Sequence, residues 1–208
     1  MFERLYSNLL QCLEFGVTPL LRKFFYLNRE LVVLESDLSS LGPRVDSLSE
    51  LNMKFVEISK YNFEEIHPEY PFKNGRTKAV YHFRNGYRAF VILRGNEVIG
   101  DMWYATAINP KLSPFYQAAR RLGIELGKEG VYLCDLSVRQ KERQNGIAFY
   151  LMSLALHSLR EKGFTKTYGY VWEGNRSASF LYTLFRFREL SRMKASRFLF
   201  FYRVKGQR

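Results

Sequence analysis

A chain of 208 residues, 47% hydrophobic and 25% charged, has the composition of a folded protein with one core and an appendage. It has no apolar run long enough to span a bilayer, and MFERLYSNLL lacks the basic-then-apolar order of a secretory leader, so a cytoplasmic protein with no transmembrane segment is expected. Cys12 and Cys134 form no paired motif and His67, His82 and His157 show no ligand spacing, which excludes a sequence-legible metal site or disulfide framework.

The net charge of +12 is uneven: residues 1–50 carry five Lys/Arg against seven Asp/Glu, whereas Arg186 to Arg208 carry eight basic residues and one acid, Glu189. A basic end of this kind attracts a polyanion, be it a nucleotide phosphate, nucleic acid, an acidic carrier protein or anionic lipid, or is simply a solvated surface. No RNA- or DNA-reading motif is present, so no nucleic-acid partner is expected.

In chain order, Phe2, Leu5, Tyr6, Leu9, Leu10 and Leu13 recur at helical spacing, and Thr18-Pro19 opens a second short helix. ELVVLESDL at 30–38 reads as a strand, and SSLGPRVDSLSELN as a connector, which puts the main boundary near residue 52: an extension over 1–51 and a domain over 52–208. The apolar stripes of residues 1–28 need burial against the core, in a homodimer or on a membrane surface, the last disfavoured by their near-neutral charge. MKFVEIS then reads as a strand, NFEEIHPEY and GRTKAVYHFRNG as helical, and YRAFVILRGNEVIGDMWYATA as a hairpin turning at Gly95-Asn96. Ser113-Pro114 opens a helix to Leu126, followed by the strand VYLCDLSV. A long amphipathic helix begins near Gly146 and stops at Gly163. TKTYGYVW is a strand, RSASFLYTLFRF a helix behind Asn175, and RELSRMK and RFLFFYRVK an antiparallel closing pair. The pattern is α/β with one late β-α-β unit.

The turn between Val138 and the long helix has no Ser, Thr or Asp to cap the helix start. Gly146 and Ala148 leave the backbone bare there, so several N–H groups and the positive helix end converge on one small space, with Arg143 at its rim. That arrangement suits an anion.

VRQKERQNGIA resembles the signature of the GNAT superfamily of acetyl-CoA-dependent N-acyltransferases: Arg or Gln, two residues, Gly, one residue, then Gly or Ala. Arg143, Gly146 and Ala148 match it, and Val138 holds the usual hydrophobic position upstream. NRSASFLYTLFRF is similar to a second family segment through Asn175, Ala178, Tyr182 and Phe187. Arg186 stands where glycine is usual, Gln144 likewise, and Gln140 replaces a frequent proline; none of these removes an N–H from the turn. The resemblance covers roughly residues 52–204. It implies a mixed seven-stranded sheet flanked by helices and splayed between VYLCDLSV and TKTYGYVW, with acetyl-CoA as co-substrate in the gap. It also implies cofactor contacts from Ser137, Val138, Arg143, Gln144, Asn145, Gly146, Ile147, Ala148, Asn175, Ala178 and Tyr182. The 113–126 helix is an insertion by this standard and is expected to shape the acceptor pocket.

The resemblance implies acyl transfer to a primary amine by direct attack, the acceptor being a small-molecule amine, an amino sugar or a protein amine. Tyr182 takes the place of the tyrosine that protonates the departing thiolate. From spacing alone it is equally a core aromatic on the stripe Ala178, Leu181, Tyr182 and Phe185. Asp135, a carboxylate within an apolar strand, is a candidate base with a pKa raised toward neutrality, or else a structural hydrogen-bond acceptor. Glu173 is a reserve base, and Cys134 is read as packing. Trp103, Tyr104, Phe115, Tyr116 and Trp172 suggest an aromatic-lined region. The alternative function is a non-catalytic module that binds CoA or a partner.

Overall fold

Apolar alternation in short runs forces strands to pair and to be covered on both faces. The computed structural model describes residues 27–45, 48–70, 75–107, 122–198 and 201–206. In chain order it contains β1 (Leu27–Asp37), β2 (Lys54–Ile58), α1 (Phe63–Ile66), α2 (Gly75–Arg84), β3 (Arg88–Arg94), β4 (Glu97–Thr106) and β5 (Gly130–Val138). There follow α3 (Ile147–Glu161), β6 (Lys166–Trp172), α4 (Arg176–Leu184), β7 (Arg188–Phe198) and β8 (Phe201–Gly206). All described strands belong to one sheet in the order β2-β3-β4-β5-β6-β1-β7-β8.

The seven strands β2 to β8 are those expected beyond residue 52; the eighth is β1, from the stretch read as an extension. It lies inside the sheet, antiparallel to β6 from Leu31↔Trp172 to Asp37↔Lys166 and antiparallel to β7 on its other side. Leu31 and Val33 are fully buried, so the boundary at residue 52 does not divide the sheet into separate structural units. The helices expected within residues 1–26 lie outside the described residues. So does most of the 113–126 insertion; its last part, 122–126, is turn and irregular chain rather than helix, with Gly123 at φ +69°.

Two apolar layers cover the sheet. On one face α3 contributes Ile147, Leu151, Met152, Leu154 and Leu159 to a core with Phe90, Ile99, Met102 and Leu133. On the other, Ala79 and Phe83 of α2 pack with Ala89, Val91, Trp103 and Cys134. A fully buried Leu or Ile contributes on the order of 2 kcal/mol, so the buried face of α3 alone fixes that helix firmly on the sheet. Its end is set by Gly163 at φ +86°, where Gly163 N–H donates to Arg160 O and Phe164 N–H to Leu159 O.

Among the described strands, the one parallel pair is where the sheet opens. β5 and β6 are in register only at Gly130↔Lys166, Val131↔Thr167 and Tyr132↔Tyr168, after which they diverge. This is the expected splay. On its other edge β5 stays paired with β4 except for a bulge, where the register passes from Trp103↔Cys134 to Asp101↔Ser137. Asp135 sits in the bulge with φ +51°, a conformation that costs a non-glycine residue about 1 kcal/mol.

Candidate active site

The turn from Arg139 to Gly146 is assembled from its backbone outward. A short 3-10 turn over Gln140–Glu142 leads to Gly146, the N-cap of α3, at φ +69°, ψ 8° and with no side-chain cap. The amides of Gln144, Gly146, Ile147 and Ala148 have no acceptor among the described residues, so the expected convergence of bare N–H groups is present. Arg143 Nε donates to Val138 O at 3.2 Å, folding the guanidinium over the strand end. The side chains of Val138 and Ile147 are buried in the core, leaving only their backbone to a ligand.

Glu142, which no sequence motif singles out, is what shapes this turn. It is buried and takes Arg94 in a two-pronged pair, Nη1 at 2.7 Å and Nη2 at 3.3 Å, while Asn145 Nδ2 donates to it at 3.0 Å. Arg94 and Asn145 together hold its carboxyl below the usual carboxylate range. Arg139 pairs with Glu97 at 2.6 Å, and its N–H donates to Ile99 O. Both ion pairs tie the turn to the β3–β4 hairpin. Asn145 therefore shapes the loop through its side chain, which is not free for a ligand.

On the α3 face of the splay lies α4. Asn175 caps it, Oδ1 accepting from Ala178 N–H at 3.2 Å, so both residues have a structural use. Tyr182 stands edge-on to Phe187, with ring centroids 4.7 Å apart, and reaches over β6. A Cβ at Gly169 would lie 2.7 Å from its hydroxyl. Gly169 comes one residue after the last β5–β6 pair, so Tyr182 arrives at the mouth of the gap only because this strand position carries no side chain. Burial pushes the Tyr182 hydroxyl well above its ordinary value and keeps it protonated. A glycine in a strand interior is the sequence signal for such a close approach.

The other face of the gap is made of side chains. Asp135 Oδ2 lies 2.9 Å from Lys78 Nζ and 3.3 Å from His82 Nε2. Lys78 is also 3.7 Å from Asp101 Oδ2, which accepts from Trp103 Nε1 at 2.9 Å, and His82 stacks on Trp103 with ring centroids 4.4 Å apart. The expectation that burial raises Asp135 is overturned. Burial does act in that direction and is the largest single influence, but the His82 hydrogen bond and the Lys78 ammonium together outweigh it and hold the carboxyl at about 2. Its side chain is 44% exposed, which favours the charged form. Asp101, deeply buried, goes the other way and is raised. Lys78 and His82 sit four residues apart on α2, a spacing that puts them on one helix face.

A small cavity adjoins this network, lined by Tyr70, Lys78, Gly100, Asp101, Ser137 and Arg139. Ser137 thus opens toward the α2 side. Cys134 is buried, and burial raises its thiol, consistent with packing. Glu173 pairs with Arg192 at 3.2 Å away from this network. The aromatic region does not form as expected: strand alternation sends Trp103 and Tyr104 into opposite cores, and Phe115 and Tyr116 lie outside the described residues. Among the described residues no cluster of metal-ligating side chains occurs, and no helix is long and apolar enough to cross a membrane.

Solved structures share this fold at low identity. A glucosamine N-acetyltransferase region of a fungal multi-domain β-N-acetylglucosaminidase superposes with a TM-score of 0.56 at 16% identity, over 87% of this chain and 22% of that one. A GCN5-related N-acetyltransferase from Sphaerobacter thermophilus gives 0.53 at 13%, over 92% and 56%, and a Drosophila protein gives 0.53 at 12%, over 86% and 54%. The chain thus spans between about a fifth and just over half of these structures, and the likeness is one of fold. No curated protein sequence matches it. The model of the acetyltransferase (GNAT) family matches residues 52–187, which include the turn, the bulge, the splay and Tyr182, and the chain belongs to that family.

Proposed function

We propose that the protein transfers an acetyl or related acyl group from acyl-CoA to a primary amine by direct attack. The observation that carries this reading is the coincidence, at one opening of the sheet, of unpaired amides at the start of α3 with Tyr182 and Asp135 on opposite sides of the gap. The residues present fit acetyl-CoA. The amides of Gln144, Gly146, Ile147 and Ala148 suit a pyrophosphate, Arg143 adds a cation at the rim, and the edge of β5 beyond Tyr132 faces an open gap. Acetyl-CoA supplies an activated thioester carbonyl.

The chain's own groups do the rest. Tyr182, kept protonated by burial, donates a hydrogen bond to the sulfur side of the gap. The same burial makes it a reluctant acid, which puts its contribution at the low end of ~10² to 10⁴ in rate. Asp135, ionised and half-exposed, attracts an ammonium and orients it toward the opening. With its carboxyl held near 2 it is a charge partner rather than a base poised near neutrality, so the acceptor proton passes to solvent or to a group outside the Lys78 pair. Calorimetric titration with acetyl-CoA, followed by a turnover screen of small amines, amino sugars such as glucosamine, and peptide amines, tests the reading. Micromolar binding with CoA release on at least one amine is expected. Binding without release on any of them would favour a non-catalytic CoA-binding module.

A further inference from the structure

Lys78 is the amine already at the acceptor side of the gap. Its Nζ lies 2.9 Å from Asp135, the residue of the β5 bulge at which the sheet is open, and 3.7 Å from Asp101. It approaches from α2, on the face opposite α3 and α4. Its side chain is 30% exposed, so the nitrogen is neither sealed in the core nor free in solvent. An acceptor drawn in by Asp135 would have to bring its own nitrogen to this place.

We infer that Lys78 is an internal acceptor: in the absence of a competing amine, the protein acetylates its own Lys78 from acetyl-CoA. The inference rests on the acyltransfer reading above. In the step, the Lys78 ammonium gives one proton directly to solvent, to which its side chain is 30% exposed. The nitrogen lone pair attacks the thioester carbonyl, a C–N bond forms and the C–S bond breaks. CoA leaves as the thiolate and takes a proton from Tyr182, which recovers it from the second proton shed by the amine. The products are Nε-acetyl-Lys78, free CoA and one proton released to solvent. The carboxylates that hold the ammonium keep it charged, so the step is slow and quickens as pH rises. The titratable and charged groups around it are Asp101, Asp135, His82, Cys134, Tyr70 and Arg139. Once modified, Lys78 no longer separates Asp101 from Asp135, and the acceptor side loses one positive charge. Self-modification would thereby change which amines the site accepts.

The test is incubation of the full chain with acetyl-CoA alone and site-resolved mass spectrometry over time, alongside calorimetry of acetyl-CoA binding. Lys78 should gain one acetyl group roughly tenfold or more faster than the exposed Lys60, because a held nitrogen gains effective concentration over a free one. In the Gly146→Asp variant, and in urea-unfolded chain, the two lysines should react alike. Binding of acetyl-CoA with Lys78 no faster than Lys60 overturns the inference and leaves the acyltransfer reading intact. Equal Lys78 labelling in Gly146→Asp overturns it as ordinary chemical acetylation. Absence of acetyl-CoA binding overturns both.

Discussion

The two sides of the gap are built from different materials. On the proposed donor side the groups that face the gap are backbone amides, and the side chains around them shape the turn: Glu142 with Arg94 and Asn145, and Gly146 by carrying none. On the proposed acceptor side the groups are side chains from three separate elements, Lys78 and His82 of α2, Asp101 of β4 and Asp135 of β5. A backbone site is fixed by local conformation and tolerates variation in its side chains, which is why Gln144 in place of glycine is harmless to the geometry. A side-chain network depends on every partner, and loss of Lys78 would leave Asp101 a buried carboxylate without its nearby cation.

Placing a charge in the backbone site should have the largest effect. Gly146→Asp sets a carboxylate about 5 Å from an anion held by the amides, worth roughly 3 kcal/mol at an effective dielectric of about 20, so acetyl-CoA affinity should fall about a hundredfold. A Cβ at 146 meets only Tyr150, at an ordinary 3.5 Å, but φ +69° adds a backbone cost of about 1 kcal/mol for a non-glycine residue; calorimetry and thermal melting separate the effect on affinity from that on stability.

Next is the geometry of Tyr182. Tyr182→Phe should slow the chemical step by about 10² with acetyl-CoA affinity nearly unchanged. Gly169→Ala keeps the hydroxyl but puts a methyl 2.7 Å from it, and should match that loss in pre-steady-state rate. A Gly169→Ala variant with full activity would return Tyr182 to a packing role.

The acceptor-side network should show in the pH dependence of stability. The folded value of Asp135 near 2, against ~3.9 unfolded, makes its ionised form stabilising above pH ~4, a contribution lost as pH falls through the folded value. Discounted for its exposure, Asp135→Asn should cost about 1 kcal/mol at neutral pH, little at pH ~2 and nothing by pH ~1, read from urea unfolding across pH.

The smallest effect compares two helix ends. α3 and α4 finish with the same pair of hydrogen bonds, but the left-handed residue is Gly163 in one and Arg186, φ +57°, in the other. Arg186→Gly should raise stability by up to about 1 kcal/mol, less whatever the Arg186 to Ser40 O contact contributes, as measured by thermal melting.

Much of this was legible in the chain itself. Helix α3 with its glycine stop, the β3–β4 hairpin at Gly95-Asn96 and the bare turn at Gly146 follow from periodicity and turn chemistry, both properties of neighbouring residues. The expected seven strands and their splay are there. What spacing alone could not supply is which distant groups meet. ELVVLESDL reads as a strand, but only packing decides that it enters the sheet between β6 and β7 rather than standing apart. Asp135 reads as an acid in an apolar strand; only the approach of Lys78 and His82, more than fifty residues earlier, turns an expected rise in pKa into a fall. Local sequence determined where the backbone turns and which faces are apolar, because those depend on residues within a turn or two of each other. The ionisation of a carboxylate and the reach of Tyr182 over Gly169 depend on charges and contours that folding alone brings together.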